Sequence, residues 1–202
     1  MKKHIYIFLL LICFSIVGCR DKQIADAKMQ SAYYNLMQKH PIQESTSDSV
    51  ITISNFKIIP IFSYKIGARV LSRERYYFDK GAEIAPVDLA LGWGKMSNDS
   101  LLHRANIKIS QGGRYYHWWA PDFNSLSRAE IETQSANVHL IPLTTQIKKQ
   151  LLNIDQGDYV YIEGDLVNVI APDGATMNSS ITRFDTGAGA CEIILVKKVM
   201  LN

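Results

Sequence analysis

The run GDYVYIEGDLVNV, residues 157–169, decides how the fold is read. Its alternation from Asp158 to Val169, interrupted only at Gly164, predicts a long strand. Pro172-Asp173-Gly174 follows as a turn, Met177 to Phe184 returns, and Cys191 to Met200 closes with Ile193, Leu195 and Val199 available to one face. Working backwards, Thr144 or Thr145 caps a helix whose Ile147, Leu151 and Leu152 share a face until Gly157 stops it. Asn137 to Ile141 reads as a short strand, and Ser127 with Glu130 is a capping-box signature for a short helix. Ile107 to Ser110 and Arg114 to Trp119 flank Gln111-Gly112-Gly113, where glycine supplies the positive φ of a tight hairpin turn. SNDSLLHR predicts a capped helix over 98–104. Val87, Leu89, Leu91 and Trp93 alternate in another strand, as do Phe62, Tyr64, Ile66, Ala68 and Val70, which Pro60 separates from Val50–Ile53.

These elements predict a β-rich α+β domain, a small OB-like barrel or sandwich with one or two short helices, preceded by an N-terminal helix. The long strand, the PDG turn and the terminal strand resemble the second half of an OB-type barrel. A generic α+β sheet would write a similar pattern. Over residues 21–39, Ala25, Met29, Tyr33 and Leu36 or Met37 recur at helical spacing, for packing on the domain or for use as a spacer. QESTSDS, residues 43–49, has turn formers and no apolar residue and reads as a flexible link. The division expected is a leader over 1–18, a helical segment and linker over 19–49, and one globular domain over 50–202.

The leader itself is MKKHIYIFLLLICFSIVGC. Lys2 and Lys3 precede a short apolar run, and Ile16-Val17-Gly18-Cys19 resembles a bacterial lipobox, in which the cysteine is acylated and the chain cut before it. The alternative is an uncleaved membrane anchor. Acyl chains bury about 0.8 kcal/mol per methylene, enough for two or three of them to hold a protein on a membrane. Arg20 rather than Asp after the cysteine favours the outer membrane, facing the periplasm. With Lys2 and Lys3 removed the formal net charge falls from +3 to +1, which leaves no electrostatic footprint for nucleic acid. Of three cysteines, Cys13 leaves with the leader and Cys19 takes lipid, so Cys191 has no disulfide partner in its own chain.

Four runs are too particular for solvent-facing filler: PVDLALGWGKMS (86–97), ISQGGRYYHWW (109–119), SANVHLIP (135–142) and RFDTGAGACE (183–192). Together, over residues 66–200, they resemble an uncharacterised bacterial membrane-anchored family with GWGxMS, ISQxxR[WY]Y, SANxHxIP and DTGxxACE runs. The resemblance implies a domain outside the cytoplasm and supplies no catalytic residue.

Asp185-Thr186-Gly187-Ala188 matches the aspartic-protease tetrad, but such a site needs a second aspartate and a further apolar-apolar-Gly segment. Too little chain follows Asp185 for that, so the tetrad reads as a loop turn. Nucleophilic catalysis would use Cys191 or Ser135 as attacker, His139 or His117 as base, and Asp185 or Glu192 as orienter. Ser135 lacks a nucleophile elbow, and Cys191 opens a strand rather than a helix. The same histidines and carboxylates contain no close-spaced ligand pair, so neither a metal nor another cofactor is expected.

Arg114 to Trp119 places so many rings on one strand that one face must meet solvent, a partner or a covering segment, the N-terminal helix among them. Trp93, Tyr116 and Trp118 are the binding candidates, for an envelope protein or glycan. The leading expectation is therefore a lipid-anchored, non-catalytic binding or assembly component of the envelope. The alternative is an envelope hydrolase using Cys191, His139 and Asp185. Replacing the acyl acceptor tests the anchor: Cys19→Ser should accumulate as uncleaved precursor and stop labelling with radioactive palmitate, whereas a plain membrane anchor would be indifferent to the change.

Overall fold

In the computed structural model, residues 31, 32 and 34–201 are described. The leader, Cys19 and most of the 21–39 segment, including Ala25, Met29 and Tyr33, lie outside the described residues; 31, 32 and 34–37 are helical. Among the described residues no helix is long and apolar enough to cross a membrane. Leu36–Asn202 forms one compact unit.

Ten strands and three short α-helices follow: β1 (Ile42–Ser45), β2 (Ile51–Ile53), β3 (Phe56–Arg75), β4 (Val87–Gly92), α1 (Asp99–Arg104), β5 (Lys108–Gly112), β6 (Tyr115–Trp119), α2 (Arg128–Thr133), β7 (Ser135–Pro142), α3 (Thr145–Leu152), β8 (Tyr159–Ile170), β9 (Thr176–Met177) and β10 (Glu192–Leu201). The expected β-rich domain with few short helices is what is found. Eight strands make one mixed sheet, and β5 and β6 form a separate hairpin. The twenty-residue β3 organises the sheet. One edge pairs with β2, β1 and β4 in turn, while the other pairs with β8 from Lys57 to Arg69. Pairing continues from β4 to β7, to β10 and to β8, so the path that leaves β3 through β4 returns to it. All these pairs are antiparallel except β7 with β10.

Strand alternation builds the core. Tyr64, Ile66, Ala68 and Val70 of β3, Val87, Leu89 and Leu91 of β4, Val138 and Leu140 of β7, and Ile194 and Val196 of β10 share one buried cluster. Ile147 and Leu151 of α3 close it, each fully buried side chain contributing about 1.5–3 kcal/mol. A second cluster, over Met96, Leu102, Leu126 and Ile131, is covered by the inner face of the β5–β6 hairpin. The expected caps are present. Asn98 and Thr144 accept from the backbone at the starts of α1 and α3, and Ser127 and Glu130 form a reciprocal box at α2.

Four sequence expectations are corrected. Residues 43–45, assigned to the link, pair with β3 together with Ile42, so the sheet begins before Val50. Their gain is backbone pairing along an edge, which needs no apolar pattern. Pro60 lies inside β3, at a register shift between Pro60 and Phe62, where a bulge tolerates the missing N–H. The hairpin turn is Gly113-Arg114, both at positive φ, one residue beyond the expected turn. Of the return expected over 177–184 only Met177 is in a strand, paired by β9 with β8; 178–191 has no regular structure.

β8 runs unbroken through Gly164, and that position is glycine for a steric reason. A Cβ there would overlap the Leu195 carbonyl oxygen of β10, and backbone cannot yield as a side-chain tip can. Gly164→Ala should therefore cost about 2 kcal/mol or more in urea unfolding, whereas Gly174→Ala, with open space around its Cβ, should suffer only the smaller penalty of its positive φ.

Candidate active site

Three neighbouring strands place the site. Ala136, Val138 and Leu140 of β7 point into the core, so Ser135, Asn137 and His139 point the other way. Asp88 of β4 is the direct cross-strand partner of His139, and on the other side β10 pairs Glu192 with Val138 and Ile193 with His139. Cys191, one residue before Glu192, thus falls on the outward face beside Asn137 and diagonal to His139.

Asp88 has no solvent exposure, and both its oxygens meet positive groups. Oδ1 is 3.0 Å from Arg114 Nη1, and Oδ2 is 2.8 Å from His139 Nδ1, close enough for an ion pair though not aligned as a linear hydrogen bond. Burial pulls the His139 imidazole toward the neutral form. The neighbouring Asp88 carboxylate and Cys191 sulfur outweigh it and raise the pKa to about 9. Cys191 is a free, half-buried thiol. Carboxylate, imidazole and thiol thus form one chain of neighbours across the outward face of the sheet.

Arg114 fixes that chain to the hairpin. It holds φ 71, an uncommon conformation for a residue with a Cβ. Its guanidinium bonds Asp79 through Nε and Nη2, reaches the Ala85 carbonyl at 2.9 Å, and lies 3.7 Å over the Tyr76 ring centroid. The Tyr76 hydroxyl accepts from the Arg114 N–H, and burial, with the Asp88 charge, lifts that phenol to about 12 against the pull of Arg114.

Cys191 opens onto a cleft of about 370 Å³ between β6, β7 and the 182–191 loop. Tyr115, Tyr116, His117 and Trp118 form one wall, with Glu132 and Asp185 among its polar groups. On the far side, His139 and Arg114 border a separate apolar cavity of about 430 Å³ with Ile141, Val169 and Ile193.

The sequence candidates are dispersed differently from expectation. Cys191 and His139 come together, but the carboxylate on the imidazole is Asp88; Asp185 instead accepts from Ser180 Oγ at 2.7 Å. Ser135 donates to the Ile131 carbonyl and shares a hydrogen bond with the Tyr116 hydroxyl at 2.8 Å. Glu192 points inward, buried against Arg183. Trp93 is 1% exposed, its Nε1 3.4 Å from His40 Nδ1, so it offers no contact surface. Tyr116 and Trp118 lie on the inner, half-buried face of β6, burial lifting the Tyr116 phenol to about 12. The outward rings are Tyr115 and Trp119, each about half exposed. Asp88, Asn137 and Arg114 were not singled out, and the one signal for Asp88 is a carboxylate inside the apolar run VDLAL.

Among the described residues no group of three or more His, Cys, Asp or Glu is arranged to hold a metal ion. Comparisons with protein-family models, with curated proteins and with solved structures give no match.

The raised pKa makes the site pH-sensitive. An imidazole at about 9 when folded, against 6.5 unfolded, contributes stability fully present below about pH 6.5 and lost as pH rises through 9. A stabilisation on the order of 3 kcal/mol is the upper limit. The Tm difference between wild type and His139→Gln should accordingly be largest near pH 6 and shrink toward pH 10.

Proposed function

We propose that this chain is a thiol-dependent acyl-transfer enzyme, a hydrolase of the cell envelope, with Cys191 as nucleophile, His139 as acid and base, and Asp88 as the group that orients His139. The observation that carries the reading is the cross-strand pair of buried Asp88 with His139, Oδ2 2.8 Å from Nδ1, with Cys191 beside Asn137 on the same face and its sulfur among the groups that raise the imidazole pKa. Nucleophile, base and orienter in hydrogen-bond reach are what such catalysis requires. His139 takes the proton of the Cys191 thiol, which leaves a thiolate beside an imidazolium. The thiolate attacks an ester or amide carbonyl, the imidazolium protonates the departing group, and a thioester forms. The neutral imidazole then takes a proton from water, whose oxygen attacks the thioester, releasing the acid and restoring thiolate and imidazolium.

The cleft supports an envelope peptide or glycan as acyl donor, since rings with polar edges and carboxylate acceptors suit both. The fold reading deepens in the same direction. The circuit β3–β4–β7–β10–β8–β3, with β7 parallel to β10 and α3 preceding β8, supports an OB-type barrel. On that reading the site occupies the outer face of the second and third barrel strands, a face such barrels use for ligands. The lipobox-like IVGC supports attachment through lipid at Cys19 to the outer membrane, facing the periplasm.

A covalent adduct is the test. Incubated with p-nitrophenyl acetate, the full chain in detergent should gain an acetyl group on Cys191, identified by peptide mass spectrometry. Cys191→Ala should abolish the adduct, and His139→Gln or Asp88→Asn should slow its formation by about 10²-fold or more. A wild-type chain that stays unmodified sinks the proposal.

A further inference from the structure

Asn137 stands two residues before His139 on the same face of β7, is buried, and belongs to none of the roles assigned above. Its Nδ2 lies 3.2 Å from the Arg114 carbonyl oxygen and 3.5 Å from Cys191 Sγ. Because that carbonyl can only accept, the amide nitrogen must face it, and the orientation of the side chain follows. The other end agrees, since Asn137 Oδ1 accepts from Gln111 Nε2 at 2.6 Å. One Nδ2 hydrogen is thus held by Arg114, itself clamped by Asp79, Asp88 and Tyr76, and the second is aimed at the sulfur.

The geometry points to Asn137 as a further catalytic residue, whose Nδ2–H stabilises the oxyanion formed when Cys191 attacks a carbonyl. This rests on the acyl-transfer reading of the site. In the attack the S–C bond forms as the carbonyl π-pair moves to oxygen, and that oxygen sits on the carbon bonded to Sγ. A donor already directed at Sγ, on a residue that lines the same cleft, stands beside the carbon that bonds to the sulfur. Such preorganised donors are worth more at a developing charge than in the ground state. The amide is neutral, so it assists the oxyanion without competing with His139 for the proton.

Two reactions at the same sulfur separate this role from a structural one. Acylation by p-nitrophenyl acetate passes through an oxyanion, whereas alkylation by iodoacetamide displaces iodide from carbon and does not. Both are followed at the Cys191 peptide by mass spectrometry, in the full chain in detergent. Asn137→Ala, and the uncharged, nearly isosteric Asn137→Leu to guard against collapse around the lost side chain, should lower acylation by about 10²-fold. Alkylation should stay within a factor of about three, because the thiolate itself persists. If both rates fall in step, Asn137 only supports the thiolate or the local fold, and the proposal is overturned. Unchanged acylation overturns it equally and leaves Cys191 chemistry intact. A wild type that alkylates normally and never acylates removes the acyl-transfer reading, and the role of Asn137 with it.

Discussion

A carboxylate with no contact to water, Asp88, is the constraint on which the rest of this structure depends. An ionised group in that position is tolerated only if both oxygens are compensated. Arg114 supplies one partner and His139 the other. The first fixes where the β5–β6 hairpin sits, because the guanidinium belongs to its turn. The second requires the Asp88–His139 cross-strand pair, and a slip of one residue by either strand would turn its own member of the pair into the core. Register, hairpin placement and imidazole charge are thus three consequences of one buried charge.

The strained turn makes sense in the same terms. Gly113 would take positive φ at no cost, but the next position carries a Cβ and holds the same hand at φ 71. A glycine there would relax the backbone and lose every contact of the guanidinium. Local strain is retained where surrounding contacts over-determine it, and at Arg114 those contacts reach Asp79, Ala85, Asp88 and Tyr76.

Much of the fold was legible because alternation and capping are local. Val87, Leu89 and Leu91 on one face of β4, the box at Ser127 and Glu130, and the cap at Thr144 are signals contained within a few residues. β1 was not legible, since Ile42–Ser45 is held by backbone pairing to a strand some twenty residues away. The site divides in the same way. Cys191 and His139 announce themselves as chemical types, but the partner of His139 depends on which strands lie side by side. Asp185 is only six residues from Cys191 and spends its carboxylate on Ser180, whereas Asp88 is distant in sequence and opposite His139 in the sheet. The aromatic strand shows the complementary limit. Alternation says that half of β6 faces out, but Trp118 goes inward and Trp119 outward because Leu126 and Ile131 await the former.

Cys191 gains its rigidity from a contact made by the residue that follows it, the first of β10. Cys191 ends a loop whose Gly187 and Gly189 both hold positive φ, a segment with little regular pairing of its own. The next residue, Glu192, turns inward, is almost wholly buried, and is ion-paired with Arg183 from the start of the same loop. That pair ties both ends of the loop to the core, and the Cys191 carbonyl accepts from the Ser180 N–H at 2.9 Å. A buried ion pair is weak evidence for stability, since desolvation offsets much of its attraction. Its effect here is positional, because alternation turns an inward Glu192 into an outward Cys191. A thiol on a free loop would sample many distances from His139, whereas one joined to the first residue of a strand is held near the neighbouring strand at a spacing set by the sheet.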